Sequence, residues 1–115
     1  VPPQSKPKLF TVAEDESVGQ VLAEAAATYD RIERVFDALV WRLSHDPKCG
    51  TLAPDNNGTQ YRYLRARPLG RAKNPTILAR YTVDEAPSVE TVYIDRIMVY
   101  PYDAAEAVSP QGYDL

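Results

Sequence analysis

The chain has 115 residues, 44% hydrophobic and 25% charged, enough for one domain with its own core and too few for two. This balance excludes a wholly disordered chain and a fibrous repeat. A single cysteine, Cys49, excludes an internal disulfide and a multi-cysteine zinc site, and no apolar run approaches the ~18–20 residues that cross a bilayer.

The net charge of −3 is unevenly spread: residues 56–83 hold six cations and no acid, whereas the rest sets seven cations against sixteen acids, or −9. A local basic stripe attracts nucleic acid even on an acidic protein. The alternative is a solvated strand pair whose cations discourage edge aggregation.

Residues 1–8 contain three prolines and no apolar pattern, so they read as an extended arm. They lack a signal-peptide core, and the expectation is a cytoplasmic protein without cofactor. Leu9 to Ala13 is a short apolar run of edge-strand character. From Val18 the apolar positions Val18, Leu22, Ala25, Tyr29, Ile32, Phe36, Leu39 and Leu43 alternate in steps of four and three, the period of an amphipathic helix. Ser17 is the expected N-cap, and Pro47 stops the segment after Asp46. One helix over 17–44 would run about 42 Å, long for such a domain. A break at Thr28-Tyr29-Asp30 is therefore expected, with Asp30 and Glu33 as a capping box and helices near 17–27 and 31–45. If the helix were unbroken, its apolar seam would pair with a second copy in a homodimer.

Turn-forming stretches at 47–50 and 54–58 lead into β structure. Residues 59–67 alternate, with Tyr61, Tyr63, Arg65 and Arg67 on one face and Gln60, Arg62, Leu64 and Ala66 on the other. A basic loop over 68–75 holds Arg71 and Lys73. The strand at 76–83 turns Ile77, Ala79, Tyr81 and Val83 inward and Leu78, Arg80 and Thr82 outward. The most apolar strand, 89–100, belongs near the sheet centre. Residues 103–115 form an acidic tail.

The helix running into Asp46-Pro47-Lys48-Cys49-Gly50, the strands Tyr61-Arg62-Tyr63-Leu64-Arg65 and Ile77 to Glu85, and the final Val92-Tyr93-Ile94-Asp95-Arg96-Ile97 together resemble the RelE/ParE toxin superfamily. The resemblance spans about residues 9–102 as a collinear pattern. It implies an α+β fold: an N-terminal helical hairpin packed on a twisted antiparallel sheet of three to four strands. It also implies the toxin of a toxin–antitoxin pair, with a cognate antitoxin and either messenger RNA at the ribosome or DNA gyrase as target. For a metal-independent ribonuclease, the resemblance places Arg62 on a basic family position and Arg65 on or beside another, with Arg80 on the strand of a third but displaced from its slot, and Tyr100 or Tyr102 as terminal acid or base. The alternative is a toxin-derived, non-catalytic interaction domain of the same fold.

Arginine is a poor general base, so these cations point to binding more than to proton transfer. Tyr61, Tyr63, Arg65, Arg67, Arg71 and Lys73 form the expected nucleic-acid surface, pairing stacking rings with phosphate-binding cations. The competing expectations are that the tyrosines pack under the helices, or that Arg80 pairs with Asp95 across the hairpin. Ser44-His45-Asp46 has triad composition, but consecutive residues at a helix end diverge. A small hydrolase using His45 is the third reading. No carboxylate–histidine grouping suggests a metal.

Overall fold

A computed structural model describes residues 9–66 and 75–101 of the chain. The arm at 1–8, most of the basic loop, with Arg67, Arg71 and Lys73, and the tail from Tyr102 lie outside the described residues.

The four-and-three apolar spacing produces two helices, with the break where the sequence expects it. In α1 (Glu16–Ala26) Val18 is buried, and Val21, Leu22 and Ala25 follow it on the same face against the core. The N-cap is Asp15, whose carboxylate accepts from the Ser17 backbone N–H at 3.0 Å, so Ser17 sits inside the first turn and is not the cap. The chain leaves the helix through Thr28 and Tyr29, whose amides both donate to the Ala25 carbonyl. In α2 (Ile32–His45) Ile32, Val35, Phe36, Leu39 and Leu43 are buried. Its N-cap is Arg31 and no side chain caps it, so the expected Asp30–Glu33 box does not form. Packing of the apolar face holds this helix instead. Asp46 leaves the helical region ahead of Pro47.

The strands β1 (Thr11–Glu14), β2 (Thr51–Leu52), β3 (Arg62–Ala66), β4 (Thr76–Asp84) and β5 (Thr91–Tyr100) form one five-stranded sheet in the order β1-β5-β4-β3-β2. β1 runs parallel to β5 and every other pairing is antiparallel. β1 is the edge strand expected of its short apolar run, and β5 lies inside the sheet. The sheet has one strand more than the sequence suggests, because β2 has only two residues.

Register assigns the faces. Leu64 pairs with Ala79 and Ala79 with Ile97, while Ala66, Ile77 and Val99 form the next row. These residues, with Tyr81, Val92 and Ile94, meet the buried side of α1 and α2 in one core. Ile94 and Ile97 are both buried although three residues apart, which strict alternation forbids. A bulge resolves this: Arg80 pairs with Arg96 and Tyr81 with Ile94, leaving Asp95 as the extra residue. The result is an α+β fold, two N-terminal helices on a mostly antiparallel sheet, consistent with RelE/ParE-like topology. Because the apolar seam of α2 is spent on this sheet, it is not available to pair with a second copy. Among the described residues no helix is long and apolar enough to cross a membrane.

Candidate functional site

The face of the sheet away from the helices carries Tyr63, Arg65, Leu78, Arg80, Thr82, Tyr93 and Arg96 in adjoining registers. It is not uniformly open. Thr76 and Leu78 are each 1% exposed, whereas Tyr93 is 40% exposed and Arg96 is exposed.

Arg80 stands in the middle of this face and is already occupied. Its Nε lies 3.1 Å from both Asp95 carboxylate oxygens, and one terminal nitrogen donates to Oδ2 as well. Both side chains are about one-fifth exposed, 21% and 22%, so the pair is partly shielded from water. The Tyr61 ring lies against the guanidinium, 4.3 Å from its centroid to the carbon. Hydrogen bonding to Asp95 raises the Arg80 pKa further above its ordinary value. Of the alternatives open for this residue, an outward-facing phosphate contact or an ion pair across the β4–β5 hairpin, the pair with Asp95 is the one that forms.

Arg62 faces the opposite way, on the helix side, as its alternation with Leu64 requires. Its guanidinium donates to the Lys48 and Gly50 carbonyls at 3.2 and 2.9 Å and fastens the 47–50 loop to β3. Arg62 and Arg80 therefore do not converge. Tyr61, Tyr63, Arg65 and Arg80 lie on or beside the far face, but Tyr61 is engaged by Arg80, and Arg65 and Tyr63 have partners of their own. Tyr102, Arg67, Arg71 and Lys73 fall outside the described residues. The expectation of several cations jointly aimed at an open surface is thus not met by Arg62 and Arg80, whose hydrogen bonds are internal.

Two features of this face are not apparent from the sequence. Tyr93 donates to Asp15 at 2.9 Å, joining the α1 N-cap to β5. The hydrogen bond raises the Tyr93 pKa, and those from Ser17 and Tyr93 lower that of Asp15. Arg96 pairs across the bulge beside Arg80, a placement that the alternation of β5 conceals because the bulge shifts it.

A cleft of about 340 Å³ opens beside β2 and β3, lined by Cys49, Gly50, Thr51, Tyr63, Arg65 and Leu78. Burial pushes the Cys49 thiol pKa up, which disfavours the nucleophilic thiolate. The buried Tyr81 hydroxyl accepts from the Gly50 N–H at 2.9 Å, and burial pushes its pKa up to about 12.

Ser44 and His45 touch, Oγ to Nδ1 at 3.1 Å, but Nδ1 also lies 2.7 Å from the Trp41 carbonyl oxygen. A carbonyl only accepts, so Nδ1 carries the proton in that bond and cannot take one from Ser44. The arrangement is a helix C-terminal contact without a relay. Among the described residues no group of three or more His, Cys, Asp or Glu side chains could hold a metal ion.

Comparisons with protein-family models, curated proteins and solved structures found no match.

Proposed function

We propose that the chain is a RelE/ParE-like domain of the toxin–antitoxin type that works by binding a protein partner and not by cleaving RNA. The observation that carries this reading is the clamp of Asp95 on Arg80. A phosphate reaching Arg80 must displace a bidentate, partly shielded carboxylate, and Arg62 is turned to the other side of the sheet. Tyr61, Tyr63, Arg65 and Arg96 lie on or beside the far face, and tyrosine and arginine are the residue types that anchor protein interfaces. An acidic antitoxin segment is the partner of matching charge. The test is titration of the full chain with the product of the reading frame adjoining its gene, which this reading expects to be small and acidic. Binding that weakens at least tenfold in Tyr63→Ala and Arg96→Ala supports the reading. No complex, or one indifferent to both changes, contradicts it.

The second reading is a toxin acting on messenger RNA at the ribosome or on DNA gyrase through this same face, favoured by the sharing of one face by Tyr63, Arg65 and Arg96. Induction in a bacterial host separates the readings: arrest with fragmented messenger RNA supports cleavage, arrest with intact RNA supports action by binding, and uninterrupted growth supports a toxin-derived interaction domain.

A further inference from the structure

Arg80 and Arg96 are register partners on β4 and β5. Like charges set directly opposite each other on a sheet repel, and adjoining cations are what draws a nucleic-acid strand with its phosphate at every nucleotide. Asp95 interrupts this pair. It is the extra residue of the bulge, so it enters the far face while Ile94 and Ile97 both stay in the core.

What Asp95 offers Arg80 has the form of a ligand. Both carboxylate oxygens lie 3.1 Å from Nε, and Oδ2 also accepts from a terminal nitrogen. Two oxygens set against the side of a guanidinium are also how a phosphate is held there. The Tyr61 ring lies over the same guanidinium, and the pair is partly shielded from water, so salt screens it less than an open pair. Arg96 differs in that it is exposed.

A nucleic acid and an acidic peptide meet this arrangement differently. The strand carries its phosphates at a fixed spacing, and loss of the central cation breaks the track they would follow. The peptide carries its carboxylates on separate, flexible side chains and engages Arg96 without needing Arg80. A group that penalises the wrong ligand more than the right one sets specificity.

We propose that Asp95 is a specificity-determining residue of the sheet face: by filling the anion seat on Arg80 it turns nucleic acid away while leaving Arg96 open to an acidic protein partner. The inference rests on the reading of this face as a protein-binding surface.

The test is binding of a fluorescein-labelled, single-stranded RNA of mixed sequence to the full chain, followed by fluorescence polarisation across a series of salt concentrations. Asp95→Ala binds at least about tenfold more tightly than the parent, the gain of a charge-assisted contact. It also steepens the fall of log affinity with log salt by about 0.7, the increment for one further phosphate contact on a single strand. Asp95→Asn, which keeps the shape and one acceptor, gains less in the same direction and carries the test should circular dichroism show Asp95→Ala unfolded. Arg80→Ala in either background removes both the gain and the added slope. Glu24→Gln on the exposed side of α1 changes the net charge equally and binds as the parent does. Equal affinity in the parent and the Asp95 variants, a gain that survives Arg80→Ala, or a gain matched by Glu24→Gln overturns the inference. RNA cut by the parent in the same samples overturns the protein-binding reading instead, so the two fail separately.

Discussion

Asp95 reaches Arg80 because it is the surplus residue of the β5 bulge. On a regular strand Arg80 would lie opposite a residue in strict alternation, and Ile94 and Ile97 would point to opposite sides. The bulge keeps both isoleucines in the core and places an additional carboxylate beside the guanidinium. One irregularity thus completes the core row on one face and neutralises the central cation on the other.

Asp95→Asn removes the charge and one acceptor while keeping the shape. The expected loss is about 1–2 kcal/mol in urea unfolding, as for a charge-assisted, partly shielded hydrogen-bonded pair. Arg80→Ala in the Asp95→Asn background then costs less than it does in the parent chain, because the two act as a unit.

Gly50 tolerates no side chain. A Cβ there would lie 2.5 Å from the Tyr81 hydroxyl and 2.8 Å from the Tyr63 carbonyl oxygen. The second neighbour is backbone of β3 and cannot swing aside. Gly50→Ala should destabilise the fold by about 1–3 kcal/mol, the range for forced overpacking, read as a lowered midpoint in thermal or urea unfolding.

Tyr81 makes stability depend on pH on the alkaline side. Its folded pKa, about 12, lies above the ordinary value of 10.0, so above pH 10 the unfolded chain releases a proton that the native chain retains. The stabilisation is complete below pH 10, declines as pH rises and is gone above about 12. Unfolding free energies across this window should fall more steeply for the parent than for Tyr81→Phe. The variant also leaves the buried Gly50 N–H without its acceptor, lowering stability at neutral pH by about 1–3 kcal/mol.

Asp15 acts at the other end of the pH scale. Hydrogen bonds from Ser17 and Tyr93 hold its pKa below the ordinary carboxylate value of 3.8. Its contribution is present above that value and disappears as pH falls through the folded pKa. Asparagine caps a helix nearly as well but does not titrate. Melting temperatures recorded from about pH 5 downward should therefore fall less in Asp15→Asn than in the parent.

The parts legible in the sequence are those governed by repetition. The four-and-three spacing from Val18 to Leu43 yields the helix pair, and alternation correctly separates Arg62 from Tyr63 and Arg65 and turns Ile77, Ala79 and Tyr81 inward. Features set by a single residue are not legible. β2 is two residues long and has no period to detect. The α1 cap is Asp15 and not Ser17 because the helix begins earlier than its first apolar position suggests. The β5 bulge breaks the alternation on which face assignment depends, so the placement of Arg96 beside Arg80 cannot be read. Arg62 falls on the expected side of its strand, but its acceptors are carbonyls of a loop that closes only in three dimensions.

The central claim, that this face binds and does not cut, is tested most directly by a reconstituted translation reaction programmed with a defined messenger RNA and supplied with the purified chain. Full-length messenger RNA at every time point, with no difference between the parent and Arg80→Ala, is the predicted result. Cleavage by the parent that is abolished in Arg80→Ala would contradict it.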